Sequence, residues 1–295
     1  MPFIFTPKQA YLLIALIDLP NYTYFAGSTQ SHYAPLMEIL GYILAVFIGI
    51  SLGLIGGGGS ILTVPVFVYL FHIEPTLATS YSLFIVGMTS LTGAVYQYSK
   101  GYVDMKAALS FGLTSVATVL IVRKYLLPAI PDHLFQVGAI TVTKSTAIMV
   151  LFAALMLAAS VSMILGHREQ PTDAPASLPK LLVFGIGIGL VTGLLGAGGG
   201  FLVIPALVLL ARVPIKKAIG TSLFIVTVNS SVGFLGDIGQ VYIDWPFLFK
   251  ILAITVFGVV IGSAFGRRIP GDRLRSGFGW FVLTMGIYIL SRELF

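Results

Sequence analysis

Charged side chains are too few in this chain to cover a folded surface in water. They make up 9 % of the 295 residues, against a hydrophobic share of 57 %, whereas soluble domains carry about 25 % charged residues. The apolar residues are gathered into long runs, and the mean hydropathy is +0.99. A bilayer is the solvent in which such a chain can fold, and the runs predict an all-α integral membrane protein.

The remaining composition narrows the chemistry. The 17 basic residues leave a net charge of +6. They stand in short clusters between apolar runs, as in the cytoplasmic loops of membrane proteins. No basic stripe interleaved with aromatics is present, so nucleic acid is not an expected partner. The absence of cysteine excludes disulfides, thiolate metal sites and cysteine nucleophiles. The N-terminal apolar stretch, 11–17, stops at Asp18 and is too short to span, which predicts a short interfacial helix.

Spanning segments are predicted near 37–56, 59–72, 77–99, 105–125 and 139–165, then 180–196, 199–211, 217–237, 246–266 and 275–292. Segments 59–72 and 199–211 are short, and each directly follows a glycine cluster. The predicted organisation is an N-terminal segment, 1–36, a first membrane repeat, 37–165, a polar linker, 166–179, and a second repeat, 180–295.

The repeat is visible without a gap at an offset of 140 residues. Gly53-Leu54-Ile55-Gly56-Gly57-Gly58-Gly59 lies on Gly193-Leu194-Leu195-Gly196-Ala197-Gly198-Gly199, and Pro65 lies on Pro205. Ser82-Leu83-Phe84-Ile85-Val86 recurs unchanged as Ser222-Leu223-Phe224-Ile225-Val226. Ser90 matches Ser230, Gly93 matches Gly233, and Tyr102 and Asp104 match Tyr242 and Asp244. Aligned glycines, a proline and an aspartate in one register are not what apolar composition alone produces. Loop charge reverses between the copies. Loop 72–79 has no Lys or Arg while its equivalent has Arg212, Lys216 and Lys217, and loop 99–106 has Lys100 and Lys106 while 237–245 has none. This predicts an inverted-topology repeat. Most of the basic residues then lie inside, with Arg123 and Lys124 among those facing out, together with both termini.

Consecutive glycines break a helix and expose its backbone, which a membrane tolerates only inside protein or beside an aqueous cavity. The blocks are therefore predicted to be mid-membrane breaks. Short helices starting near Gly59-Ser60 and Gly199-Gly200 would turn free N–H groups and positive dipole ends toward an anion. Candidate binding residues are Gly57, Gly58, Gly59 and Ser60 in the first copy, and Gly198, Gly199 and Gly200 in the second. Ser82, Thr89 and Gly93 share one helical face, as do Ser222, Asn229 and Gly233, adding Ser82, Thr89, Ser222 and Asn229. No Arg or Lys is expected among the spans, so the charge balance is assigned to helix dipoles, with Asp237 the carboxylate placed for proton coupling. No cofactor, metal site or catalytic residue is expected, and the chain is not read as an enzyme.

The duplicated G-L-x-G-x-G-G-G/S…P block, with the S-L-F-I-V run and the Val/Ile-Asp turn, resembles the sulfite exporter TauE/SafE family, also called the toluene sulfonate uptake permeases. The resemblance covers roughly 38–292. It implies a multi-pass secondary transporter of the cell inner membrane whose substrates are small sulfur-containing anions and related organic acids: sulfite, sulfonates, thiosulfate, sulfoacetate. It places the family's glycine motif on Gly56–Ser60 and Gly196–Gly200, and its serine motif on Ser82 and on Thr221-Ser222. The first copy departs from the second, with Tyr81 where Thr221 stands and Ser80 where Gly220 stands. The expected partners are a small anionic substrate and membrane lipid. A gated anion channel of the same architecture is the alternative function.

Overall fold

The computed structural model describes residues 30–55, 57–137, 140–165, 178–209, 213–266 and 271–294. The N-terminal stretch 11–17, most of the linker 166–179, and Gly56 lie outside the described residues. The chain divides into two compact units, Met1–Ile39 and Leu40–Phe295, and both glycine blocks belong to the second.

Among the described residues, ten α-helices carry the fold. In the first half they are α1 (Gln30–Ile55), α2 (Thr63–Tyr69), α3 (Pro75–Ser99), α4 (Met105–Ile121) and α5 (Lys144–Leu165). In the second they are α6 (Leu178–Leu195), α7 (Gly200–Leu209), α8 (Ile215–Asp237), α9 (Trp245–Gly266) and α10 (Gly271–Leu294). Five described stretches are long and apolar enough to cross a membrane: Pro75–Ser99, Met105–Ala129, Lys144–Leu165, Lys217–Asp237 and Trp245–Gly262. The turns obey local chemistry. Pro75 opens α3 behind the cap Glu74, whose carboxylate accepts from the Leu77 N–H. Asp104 caps α4 through the N–H groups of Lys106 and Ala107, and Asp244 accepts from Phe247 at the start of α9.

One segment is shorter than expected. The apolar run predicts a helix over 139–165, but α5 begins at Lys144, and β1 (His133–Val137) and β2 (Ile140–Thr143) pair antiparallel before it. Residues 133–143 are rich in β-branched and apolar types around a central Gly138, which is a hairpin pattern. The apolar content of the strands merges them, in sequence, with the following span.

The two halves meet through reciprocal contacts. The N–H of Asp104 donates to Thr221 Oγ1 at 2.8 Å, and that of Asp244 to the Tyr81 hydroxyl at 2.8 Å. Leu223 fills the space beside Gly93, and Leu83 the space beside Gly233. The backbone at Thr255 lies against Gly49, and that at Ser115 against Gly189. In each pair both members are exchanged by the offset of 140, the mark of a two-fold relation. These partners also show that α3 and α8 run antiparallel and pass each other near Met88 and Val228. The close backbone approaches need glycine, since small residues let helices dock where apolar solvent gives no drive to pack. Substituting Gly189→Val should therefore destabilise by about 1–3 kcal/mol through overpacking. Gly277→Ala, at a position where an added Cβ meets nothing, should be nearly neutral. Thermal unfolding in detergent compares the two, and equal effects would refute the close-packing account.

Candidate anion-binding site

The second glycine block is an open, left-handed stretch. Gly196, Gly198 and Gly199 have φ of 66°, 66° and 70°, values that L side chains rarely adopt. The stretch is buried and leads into α7 at Gly200. It is wedged against the α3–α8 pair: Gly196 lies on the backbone of Thr79, and Gly198 between Val86 of α3 and Ser230 and Val226 of α8. Gly199 backs onto Thr192 of α6.

The first block is built differently. Gly57–Leu62 forms a 3-10 helix running straight into α2, whose cap residue Leu62 is itself right-handed and makes no side-chain cap bond. The expected helix start at Gly59-Ser60 is therefore corrected: the helical turn there continues into α2 from Gly57, and α2 proper begins at Thr63. Gly57 and Ser60 stand where the second copy has Ala197 and Gly200, and the chain stays right-handed. Gly59 is pressed onto Ser51 and Leu52 of α1, and Ser60 is fully buried. The 3-10 turn packs on α7, so the two blocks meet beside the α3–α8 crossing.

Polar atoms buried without partners among the described residues are Thr63 Oγ1, Ser82 Oγ, Ser90 Oγ, Thr192 Oγ1, Ser230 Oγ and Asn229 Oδ1, and of these Ser230 Oγ lies against Gly198 and Thr192 Oγ1 against Gly199. A buried polar atom left unbonded costs about 1–3 kcal/mol. The two hydroxyls beside the break are therefore its candidate polar contacts for a ligand.

The expected side chains do not gather into one cluster. Ser82 and Ser222 sit toward opposite ends of the α3–α8 pair, about 18 Å apart along it at 1.5 Å per residue. Ser222 returns its hydroxyl to Ile219 O, and Thr89 to Ile85 O, the self-bonding common for hydroxyls in helices. Thr221 is a tie to the cap of α4. Asn229 spends its amide on Ser115 Oγ at 2.7 Å, leaving only Oδ1. The serines nearest the crossing are Ser90 and Ser230, about 6 Å apart along the pair by the same spacing. Their identity in the repeat is visible in the sequence, but a shared helical face points to their neighbours instead.

A second correction concerns charge. Arg123 is fully buried rather than facing out with Lys124. Its Nη1 donates to Asp237 Oδ2 at 3.0 Å and to Thr79 Oγ1 at 3.0 Å, and Ser80 Oγ donates to the same Asp237 oxygen at 2.5 Å. The expectation that no basic side chain lies among the spans, and with it the balance by helix dipoles alone, does not hold. Local backbone explains the inward turn. Pro128 has no N–H to offer Lys124 O, and Val122–Leu126 widens into a π-turn in which Leu127 N–H reaches back to Val122 O. The turn sends Arg123 into the bundle while Lys124 and Tyr125 remain exposed. Asp237, expected as a lone proton carrier, is half of an ion pair. The signal available in sequence is its position: the first copy has Gln97 there, and a carboxylate gained inside a span calls for a cation. Among the described residues this cluster has no counterpart in the other half, where Gly220 faces Gln97 and, in sequence, Ser263 occupies the position of Arg123.

Removing one member of a buried pair strands the other, at about 3–5 kcal/mol, whereas replacing both with apolar residues is often close to neutral. Arg123→Leu and Asp237→Leu should each lower the unfolding temperature markedly, and the double variant should recover most of the loss. Additive losses would show that the two side chains act independently.

The chain has relatives along most of its length. The family model described as sulfite exporter TauE/SafE matches residues 41–289. A "Probable membrane transporter protein" of Xylella fastidiosa is 26 % identical over 254 residues, covering 83 % of this chain and 92 % of its own. The "Probable membrane transporter protein YdhB" of Bacillus subtilis is 26 % identical over 249 residues, covering 84 % and 98 %. A similarly named protein of Methanocaldococcus jannaschii is 23 % identical over 274 residues, covering 87 % and 95 %. No solved structure matches the chain.

Proposed function

The chain belongs to the sulfite exporter TauE/SafE family, and from that premise we propose that it is a secondary transporter moving a small sulfur-containing or organic anion across the cytoplasmic membrane. It is a multi-pass membrane protein and its relatives carry transporter names. The sulfite-like kind of the anion is taken from the family model's description, while the reading of an anion as cargo is supported by one observation above the others. The left-handed break at 196–199 is held against the antiparallel α3–α8 pair, at the start of α7 and beside the unpartnered Ser230 hydroxyl. A helix start presents unbonded N–H groups and the equivalent of about half a positive charge. Gly57, Gly58, Gly59 and Ser60 lie on the 3-10 turn that packs on α7, Gly198 and Gly199 belong to the break, and Gly200 opens α7.

Two related halves joined by reciprocal contacts suit a carrier that exchanges their roles. With the reversed loop charges of the sequence, the antiparallel course of α3 and α8 supports an inverted arrangement in the membrane. In this reading Asp237 takes the coupling proton. The charged and polar groups that face it are Arg123 from the π-turn and Ser80 from α3, and protonating the carboxylate would release the charge of Arg123.

In proteoliposomes, flux of sulfite or a small sulfonate should saturate and show counterflow, whereas a channel would give non-saturating flux without counterflow. Gly198→Leu should insert but lose flux by at least tenfold, because its side chain would enter the space between Val86 and Ser230. Single cysteines at Thr76 and Lys216 should label from opposite faces, and labelling from the same face would remove the inverted arrangement. Flux in Asp237→Asn should lose its dependence on pH, and a retained dependence would assign the proton to the substrate.

A further inference from the structure

Arg123 is paired on one side and unpartnered on the other. Asp237 meets it through a single oxygen and a single nitrogen, Oδ2 and Nη1, and Thr79 Oγ1 and Ser80 Oγ also accept from Nη1, at 3.0 and 3.4 Å. Nε and Nη2 are buried and have no acceptor among the described residues. These two atoms form the edge of the guanidinium fork that grips a carboxylate or an oxyanion with two parallel hydrogen bonds. Arg–carboxylate pairs are frequently bidentate across that fork. Here the contact is monodentate, and three N–H donors are left over.

The surroundings keep the edge in place and close to the break. The hydroxyl of Thr79 receives Arg123 while the backbone of the same residue carries Gly196, so the left-handed stretch and the guanidinium flank one residue of α3. Gly236 lies beneath the Arg123 Cβ, where a larger side chain would push the arginine out of register.

We propose that the free Nε–Nη2 edge of Arg123 is the anion seat of this carrier, and that it takes a single sulfonate, sulfite or carboxylate group by two parallel bonds. The assignment rests on the reading that the chain transports a small anion. It also accounts for the company Arg123 keeps. Without substrate, Asp237 balances the arginine; with substrate, the anion brings one further negative charge to a low-dielectric site. Monoanions are therefore preferred to dianions, and Asp237 weakens binding so that the anion can leave.

The test uses purified full-length protein, with sulfite, methanesulfonate and acetate as probes, binding by calorimetry and counterflow in proteoliposomes. Arg123→Lys keeps the charge but loses the fork, and should weaken binding of the preferred probe at least tenfold. The double variant Arg123→Gln/Asp237→Asn removes both charges at once. It should stay folded, with its Tm within a few degrees of wild type, and bind none of the probes. If the double variant binds as wild type does, the pair is structural and the seat lies elsewhere. If wild type exchanges a probe and Arg123→Lys does so with unchanged half-saturation, the seat fails and the transporter reading stands. If wild type neither binds nor exchanges any probe, the transporter reading fails and the seat with it.

Discussion

Leu83 against Gly233 and Leu223 against Gly93 hold α3 and α8 antiparallel, and the placement of everything else follows from that contact. Lipid tails are as apolar as the helices, so burial of apolar area gives no net reason to associate. What remains is close packing and the pairing of polar atoms. The reciprocal leucine–glycine pairs supply the first. The second comes from the ties at Thr221 and Tyr81, which anchor the caps of α4 and α9 to the opposite half. With the pair fixed, a backbone break has somewhere to go: the stretch 196–199 can stay irregular because α3, α6 and α8 surround it.

Much of this is legible in the sequence, because it depends on spacing. The scarcity of charge indicates the solvent, and runs of apolar residues indicate helices whose ends mostly fall within about five residues of those seen, the start of α1 at Gln30 and not near 37 being the largest departure. The offset of 140 pairs residues that do prove equivalent, down to Asp104 with Asp244 as helix caps. What spacing cannot convey is which member of a repeated pair does the work. Ser82 and Ser222 are identical in sequence and share equivalent helical faces, yet Ser222 bonds its own helix and Ser82 has no partner among the described residues. Antiparallel packing sends equivalent residues to opposite ends, so sequence identity and spatial proximity part company except near the axis. That is why Ser90 and Ser230 come close and Ser82 and Ser222 do not.

Arg123 is hidden from a sequence reading for a related reason. Charge beside an exposed lysine near the end of a span is ordinarily a loop signal, and the inward turn depends on a π-turn caused by a proline further along. The two copies agree on the scaffold and differ where the charge lies. Burying a guanidinium removes it from water at several kcal/mol, which only a partner and added hydrogen bonds offset. The structure supplies Asp237, Ser80 and Thr79 for this purpose, on one side only.

That one-sidedness has a kinetic meaning. A carrier built from two equal halves would have two facing conformations of equal energy, and its unloaded form would spend half its time in each. On the transporter reading, the cluster of Arg123, Asp237 and Ser80 would add weight to whichever conformation keeps it assembled. Each 1.4 kcal/mol of such bias moves the resting populations about tenfold. Direction of transport is still set by the gradients. On that reading the resting posture, and so the side on which an empty carrier waits, would follow from the differences between the two copies at Ser80, Arg123 and Asp237.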